Sequence, residues 1–286
     1  MAPGSLLILI PAYNEERRIG PTLERFARFF RDHFGAPFQI LVVLNGCRDN
    51  TLGVVQKVAE QFHQISWVVF PGSIGKGGAL IEGLKYAEKA EYIGYVDADG
   101  STGPESFIRL VQRCETADCV VGSRRVPGAV IRQAQPTQRM FASKIFHAIV
   151  ELLFGMRILD TQCGAKVLRR DAVLKIYRSL HIADMAFDIN LLYSLKQAGL
   201  KVVETPVEWT DDAQSTVRYF RTSLVMFLSV VRLRLVHSPF YKWLKPLRPL
   251  EGWLYVKLLH SAPPRRSSAE VPEGASTTGV SSTKEA

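Results

Sequence analysis

The feature that most constrains this chain is a regular alternation over residues 1–125, in which short apolar runs stop at turn residues and amphipathic stretches of helical spacing separate them. Residues 6–10 run into Pro11, 40–44 into Asn45-Gly46, 65–70 into Pro71-Gly72, 92–96 into Asp97, and 119–121 into Gly122. Helical spacing covers residues 23–34, 52–62, 79–90 and 105–114. Strand and helix in strict succession predict an α/β fold, a mostly parallel, doubly wound sheet flanked by helices. Such sheets bind ligands beyond the carboxyl ends of their strands, and every conspicuous polar cluster here sits at such an end.

Further along, residues 137–155 and 184–198 read as helices. Residues 201–209 read as a strand that Pro206 consigns to an edge, because proline cannot donate to a ladder. Residues 219–235 read as a basic amphipathic helix. Past Ser261 the chain lacks apolar content, which predicts disorder. The expected organisation is a catalytic domain over 1–216, a basic and aromatic segment over 217–260, and a disordered tail over 261–286. With 47% hydrophobic and 22% charged residues, a disordered whole, collagen and coiled coil are excluded. The four cysteines lack metal-type spacing and read as reduced thiols of a cytoplasmic protein.

The net charge of +9 is concentrated in two blocks. Residues 120–178 carry 11 basic and 3 acidic side chains, and residues 217–260 carry 8 and 1. A phosphorylated substrate or an anionic membrane surface fits such blocks. Nucleic acid is not expected, because the blocks bracket carboxylates that would repel it. The apolar run 222–231 lies between Arg221 and Arg232; as a helix it is about 15 Å long, half of a hydrocarbon core. It suits the interface, and aromatic residues interleaved with the basic ones of 217–260 point the same way, to peripheral attachment at the cytoplasmic face.

Asp97-Ala98-Asp99-Gly100 is the sharpest chemical signal. Strand alternation puts both carboxylates on one side if the extended geometry persists, a donor set that suits Mg²⁺ or Mn²⁺ with positions left open for phosphate oxygens; an Asp-rich turn is the other reading. Pro11-Ala12-Tyr13-Asn14-Glu15-Glu16 closes the first strand, with Asn14 expected to cap the following helix. Gly75-Lys76-Gly77-Gly78-Ala79 precedes a helix, so its N–H groups can cradle an anion with Lys76 as counter-charge. It has neither the spacing nor the hydroxyl residue of a Walker A loop.

Together and in this order, these stretches resemble the inverting family 2 glycosyltransferases of the GT-A fold, above all the dolichyl-phosphate β-glucosyltransferases and bacterial polyprenyl-phosphate relatives. Gly122-Ser123-Arg124, Asp160-Thr161-Gln162-Cys163-Gly164-Ala165-Lys166, Ala186-Phe187-Asp188, and Glu208-Trp209-Thr210 with Ser215 extend the likeness over roughly residues 6–237. The resemblance implies a hexose, glucose from UDP-glucose, moved from a nucleotide sugar to a lipid phosphate. It implies donor contacts from Pro11, Tyr13, Glu15, Asn45, Lys76 and Asp97, and a divalent metal on Asp97 and Asp99. It implies acceptor-phosphate contacts from Arg124, Arg139 and Ser143, with Asp188 or Asp160 as the catalytic acid–base candidates beside Arg124. Two departures stand out. Asn45 falls where the family usually has an aspartate, next to Leu44 where a second acid is common, and residues 1–5 do not read as the anchor helix with which eukaryotic members are expected to begin.

A phosphate monoester acceptor is mostly ionised at pH 7 and needs positioning and neutralisation more than a base; an alcohol acceptor would need one. Arg124, Arg125, Arg132 and Arg139 are the cations available to steady such an anion. Rival readings are a family 2 transferase that uses GDP-mannose or another donor with a non-lipid hydroxyl, and a non-enzymatic basic binding protein.

Overall fold

The computed structural model describes residues 4–132, 137–182, 184–210 and 219–236. Four strands and four helices alternate first: β1 (Leu6–Ala12), α1 (Ile19–His33), β2 (Phe38–Asn45), α2 (Thr51–Ala59), β3 (Ile65–Phe70), α3 (Gly75–Gly83), β4 (Tyr92–Tyr95) and α4 (Pro104–Arg113). Then come β5 (Cys119–Ser123), β6 (Val130–Ile131), α5 (Thr137–Phe154), β7 (Lys166–Arg169), α6 (Arg170–Ile176), α7 (Phe187–Gln197), β8 (Val202–Pro206), β9 (Glu208–Trp209) and α8 (Tyr219–Val236).

Seven strands form one sheet in the order β3-β2-β1-β4-β7-β5-β8, and β6 pairs with β9 in a small second sheet. All pairings of the large sheet are parallel except those of β7, which runs antiparallel to both β4 and β5. Strand order reverses direction about β1, so the crevice between the ends of β1 and β4 is the topological switch point. Because β7 runs the other way, its first residue, Lys166, lies opposite Tyr95 of β4 and Val121 of β5 at that same end. The loop ahead of β7 is thereby delivered to the crevice.

Alternation along the strands divides the core in two. Leu7, Leu9, Ile93 and Tyr95 face α3, α6 and α7, with Val150 of α5 and Val230 of α8 in the same cluster. Leu6, Ile8, Ile10 and Tyr92 face α1, α2 and α4, where Phe26, Phe30 and Phe107 pack ring on ring. The expected elements of the first 125 residues are all present, and β8, broken at Pro206, lies at the sheet edge as expected. β7 and α6 were not anticipated. β7 is four residues long and follows the polar motif 160–164, so no apolar run announces it.

Asn14 does not cap α1. The helix begins at Ile19, and Asn14 adopts a left-handed conformation (φ 54°) while its Oδ1 accepts the Arg48 N–H at 2.8 Å. A short polar side chain tolerates that backbone and here ties the loop after β1 to the loop after β2. Gly75-Lys76-Gly77-Gly78 does not precede a helix; it forms the first turn of α3. The side chains of Arg139 and Ser143, residues 211–218 with Ser215, and the segment from 237 onward lie outside the described residues.

Candidate active site

The ends of β1, β2 and β4 and the start of α3 converge on the switch point. Asp97 follows β4 and is half-buried. Its Oδ1 receives the Lys76 ammonium at 2.6 Å, and the same ammonium lies 4.0 Å from Asp188 Oδ2. Lys76 is presented by the first turn of α3, which Asn45 secures: the buried Asn45 Oδ1 accepts the Ile74 N–H at 2.6 Å. Gly46 is required beside it, since its φ is 67° and a Cβ there would stand 2.6 Å from the Ser73 nitrogen.

Extended geometry does not persist to Asp99. β4 ends at Tyr95, and Asp99 sits in a turn in which its Oδ1 accepts the Ser101 N–H at 2.9 Å. The Asp-rich turn is therefore the reading realised here, and Asp99 reaches its place through that turn rather than by strand alternation. Burial raises the Asp97 pKa; Lys76 opposes that effect and the Asp99 charge adds to it. Burial pulls the Lys76 ammonium down, but Asp97 and Asp188 more than offset it and hold the lysine charged. Among the described residues no three His, Cys, Asp or Glu side chains cluster to form a complete metal site. Two hard carboxylates with raised mutual repulsion fit a divalent cation that takes its other ligands from phosphate and water.

On the β1 side, Pro11 is half-buried within the strand and Tyr13 is exposed. Glu15 is committed locally: Arg18 Nε and Nη2 donate to its carboxylate at 2.7 and 2.8 Å, and its own N–H donates to Thr51 Oγ1 at 2.8 Å. Burial nevertheless raises its pKa, against the pull of Arg18.

Beyond β5, Arg124 and Asp160 form a fork-to-fork pair. Arg124 Nε and Nη2 donate to Oδ2 and Oδ1 at 2.7 and 2.8 Å, and the Arg124 backbone N–H donates to Oδ2 at 2.9 Å. The guanidinium carbon lies 5.2 Å from the centroid of the Trp209 ring. Asp160 is 2% exposed. Burial would raise its pKa, yet Arg124 wins and holds it below the usual aspartate value. Arg125 gives Nη1 to the Leu159 carbonyl, next to Asp160, and Arg132 pairs with Glu208 on the surface.

Asp188 lies in the first turn of α7 and is buried rather than solvent-facing. Its Oδ1 accepts from Lys166 Nζ at 2.5 Å and from the Tyr95 hydroxyl. Burial works against its charge, but Lys166 and then Lys76 hold its pKa below the ordinary value. Cys163 is buried, and burial pushes its thiol up to about 11, which leaves it inert at neutral pH.

Four residues of this site carry no individual role in the sequence reading: Tyr95, Lys166, Gly164 and Trp209. Tyr95 lies inside an apolar strand run and Lys166 closes the Asp160 motif ahead of Val167-Leu168; that apolar setting was the signal for both. Gly164 lies against Asp97, and Trp209 both stacks on Arg124 and bridges to Thr102, just past Asp99.

A Rossmann-like half sheet with an antiparallel strand that feeds a second loop to its switch point is the architecture of the GT-A fold. The chain belongs to glycosyl transferase family 2, whose family model matches residues 7–177. It is 30% identical over 244 residues to a dolichyl-phosphate beta-glucosyltransferase of Dictyostelium discoideum, covering 80% of this chain and 73% of that protein. The Saccharomyces cerevisiae protein of the same name is 28% identical over 253 residues, covering 81% and 75%. In fold, the chain superposes on glucosyl-3-phosphoglycerate synthase of Mycobacterium tuberculosis, solved with Mn²⁺, UDP-glucose and phosphoglyceric acid. That match has a TM-score of 0.63 at 15% identity and covers 82% of each chain.

Proposed function

We propose that this protein transfers glucose from UDP-glucose to the phosphate of a dolichyl or polyprenyl phosphate, with inversion at the anomeric carbon. The observation that carries this reading is the pairing of two charge clusters in one crevice: Lys76 with Asp97 on the donor side, and Arg124 with Asp160 across from it. The Asp97 charge also acts on Arg124. The names of the relatives support glucose and a lipid phosphate.

The residues divide the work as follows. Pro11, Tyr13, Glu15 and Asn45 border the nucleoside end, and Lys76 neutralises the diphosphate. Asp97 and Asp99 would hold Mg²⁺ or Mn²⁺, which when bound supplies positive charge for the departing diphosphate. Arg124 spends two of its five N–H donors on Asp160 and keeps the others for the incoming phosphate, an assignment shared with Arg139 and Ser143. An acceptor phosphate oxygen attacks the anomeric carbon from the face opposite the leaving group. The carbon–oxygen bond to UDP breaks, and its electron pair leaves on the diphosphate. No proton need move, because the second ionisation of a phosphate monoester lies near pH 6. Asp188 and Asp160, both held ionised by cations, then serve as fixed anions that aim Lys76 and Arg124.

The deciding experiment offers radiolabelled UDP-glucose, GDP-mannose and UDP-GlcNAc to a short polyprenyl phosphate and to water-soluble alcohols, with and without EDTA. Chelator-sensitive transfer from UDP-glucose to the lipid phosphate is expected, and it is expected to vanish in Asp97→Asn/Asp99→Asn. Transfer to an alcohol alone would overturn the acceptor, and chelator-insensitive transfer by that double variant would overturn the metal site.

Among the described residues no helix is long and apolar enough to cross a membrane. We infer attachment to an anionic membrane surface through the basic and aromatic segment 217–260, whose eight basic residues face one acid in sequence. Cosedimentation with anionic vesicles should occur at low salt and weaken as salt rises; none at low salt would refute it.

A further inference from the structure

Lys166 is a fully buried lysine, and an ammonium is taken that far from water only where strong partners meet it. Its Nζ donates to Asp188 Oδ1 at 2.5 Å and to the Cys163 carbonyl at 2.7 Å, and lies 5.5 Å from the Tyr95 ring centroid. These partners belong to different halves of the site. Asp188 lies in the first turn of α7 and stands 4.0 Å from Lys76, the partner of Asp97. Cys163 lies in the loop that carries Asp160, the partner of Arg124, and Gly164, which is packed on the Asp97 carboxylate.

We propose that Lys166 is a positioning residue for glycosyl transfer: its buried ammonium clamps Asp188 to the Cys163 carbonyl and so fixes the Lys76–Asp97 pair relative to the Arg124–Asp160 pair. This rests on the transferase reading above and adds a residue that touches neither substrate. The clamp acts in two ways. Lys166 and the Tyr95 hydroxyl both occupy Asp188 Oδ1, which leaves Oδ2 at 4.0 Å from Lys76, near enough to steady the ammonium but not to displace it from Asp97 at 2.6 Å. The bond to Cys163 independently holds the acceptor-side loop. Without Lys166, the buried Asp188 carboxylate takes Lys76 as its counter-ion, and the loop loses its tie.

The test uses the full chain with Lys166→Met and Lys166→Met/Asp188→Asn. It reads UDP affinity with Mg²⁺ by calorimetry, kcat for transfer from UDP-glucose to a short polyprenyl phosphate, and Tm. Lys166→Met is expected to weaken UDP binding about tenfold and to lower kcat about a hundredfold, since misplacing reacting groups by about 1 Å costs that much. In the double variant no carboxylate captures Lys76, so UDP affinity and Tm recover while kcat stays low. Recovery of kcat together with Tm would make Lys166 merely a structural counter-ion and overturn the proposal. So would a folded Lys166→Met with parental kcat. Should neither variant fold, Tyr95→Phe decides, because it removes one of the two bonds on Asp188 Oδ1 at nearly constant volume. A kcat lowered several-fold at unchanged Tm supports the clamp, and an unchanged kcat overturns it. If the parent binds UDP yet transfers nothing to the lipid phosphate, the acceptor reading has failed instead. UDP affinity, together with the rate of UDP-glucose hydrolysis, then reads the clamp in the same variants.

Discussion

Gly164 lies against the Asp97 carboxylate so closely that a Cβ built on it would stand 2.0 Å from Asp97 Oδ2. The contact joins the loop before β7 to the acid after β4. It gives the glycine of the Asp160–Gly164 motif a steric reason: its backbone forms one wall of the pocket that orients the carboxylate. Gly164→Ala should therefore rotate Asp97 away from Lys76. The expected result is a rise in the UDP-glucose KM and a fall in kcat/KM of about 10–100-fold, the scale of a displaced transition-state contact. The acceptor KM should move much less. Steady-state kinetics with each substrate varied in turn checks this.

Arg124 holds Asp160 ionised, so the pair contributes to the stability that is lost in acid. Asp160 and Asp188 both have pKa values below the ordinary 3.8. A carboxylate whose folded pKa is depressed adds stability that is fully present above its unfolded value and is lost as pH falls through the folded one. Their contribution is therefore constant at neutral pH and drains below about pH 4. Asp160→Asn should lower stability at pH 7 by about 2 kcal/mol, the range of a charge-assisted hydrogen bond, and flatten the acid limb of Tm against pH. A variant as acid-sensitive as the parent would show that the pair does not hold the loop.

The sheet was legible because β1 to β5 each announce themselves as an apolar run ended by a turn residue, and such runs carry their own boundaries. Asp97, Asp99 and Arg124 follow strand ends, where the fold rule puts ligands, whereas the assignment of Arg124 to the acceptor and of Lys76 to the donor comes from the family resemblance. What stayed hidden was geometry across the sheet. The antiparallel insertion of β7 cannot be read from four residues, and without it Lys166 has no reason to meet Tyr95 and Asp188. Asn14 was misread because its N-cap chemistry and its tolerance of left-handed φ are the same property, and only the loop from β2 decides between them. That Asp188 is buried beside Lys76 was likewise not legible from its place after Ala186-Phe187, since only the packing of α7 puts it there.

Asn45 carries the departure from the family's usual aspartate, and its Oδ1 is already spent on the Ile74 N–H at the start of α3. An aspartate can accept that bond equally well, whereas alanine cannot. Asn45→Asp should then leave stability within about 1 kcal/mol of the parent. Asn45→Ala should free a buried N–H, cost about 1–3 kcal/mol, and raise the UDP-glucose KM by loosening Lys76. If Asn45→Ala weakens UDP binding without lowering Tm, Asn45 contacts the nucleoside directly rather than through α3. Thermal unfolding with and without UDP separates the two.

Asp188→Asn tests whether any base is needed. The substituted amide would still present an oxygen to Lys166 and the Tyr95 hydroxyl, so the clamp keeps its shape while the charge and proton affinity go. A general base typically contributes about 10²–10⁴-fold, so its removal would be evident. With a polyprenyl phosphate acceptor, the expected loss is no more than about tenfold, attributable to the missing charge near Lys76. The sign of the pH dependence gives a second check. A carboxylate held below 3.8 is ionised throughout about pH 5–9, so activity in that window should follow the acceptor phosphate, rising as its second proton leaves near pH 6, in parent and variant alike. A loss of about a thousandfold in Asp188→Asn, with the rise near pH 6 abolished, would instead make Asp188 the proton acceptor and point to a hydroxyl as the nucleophile.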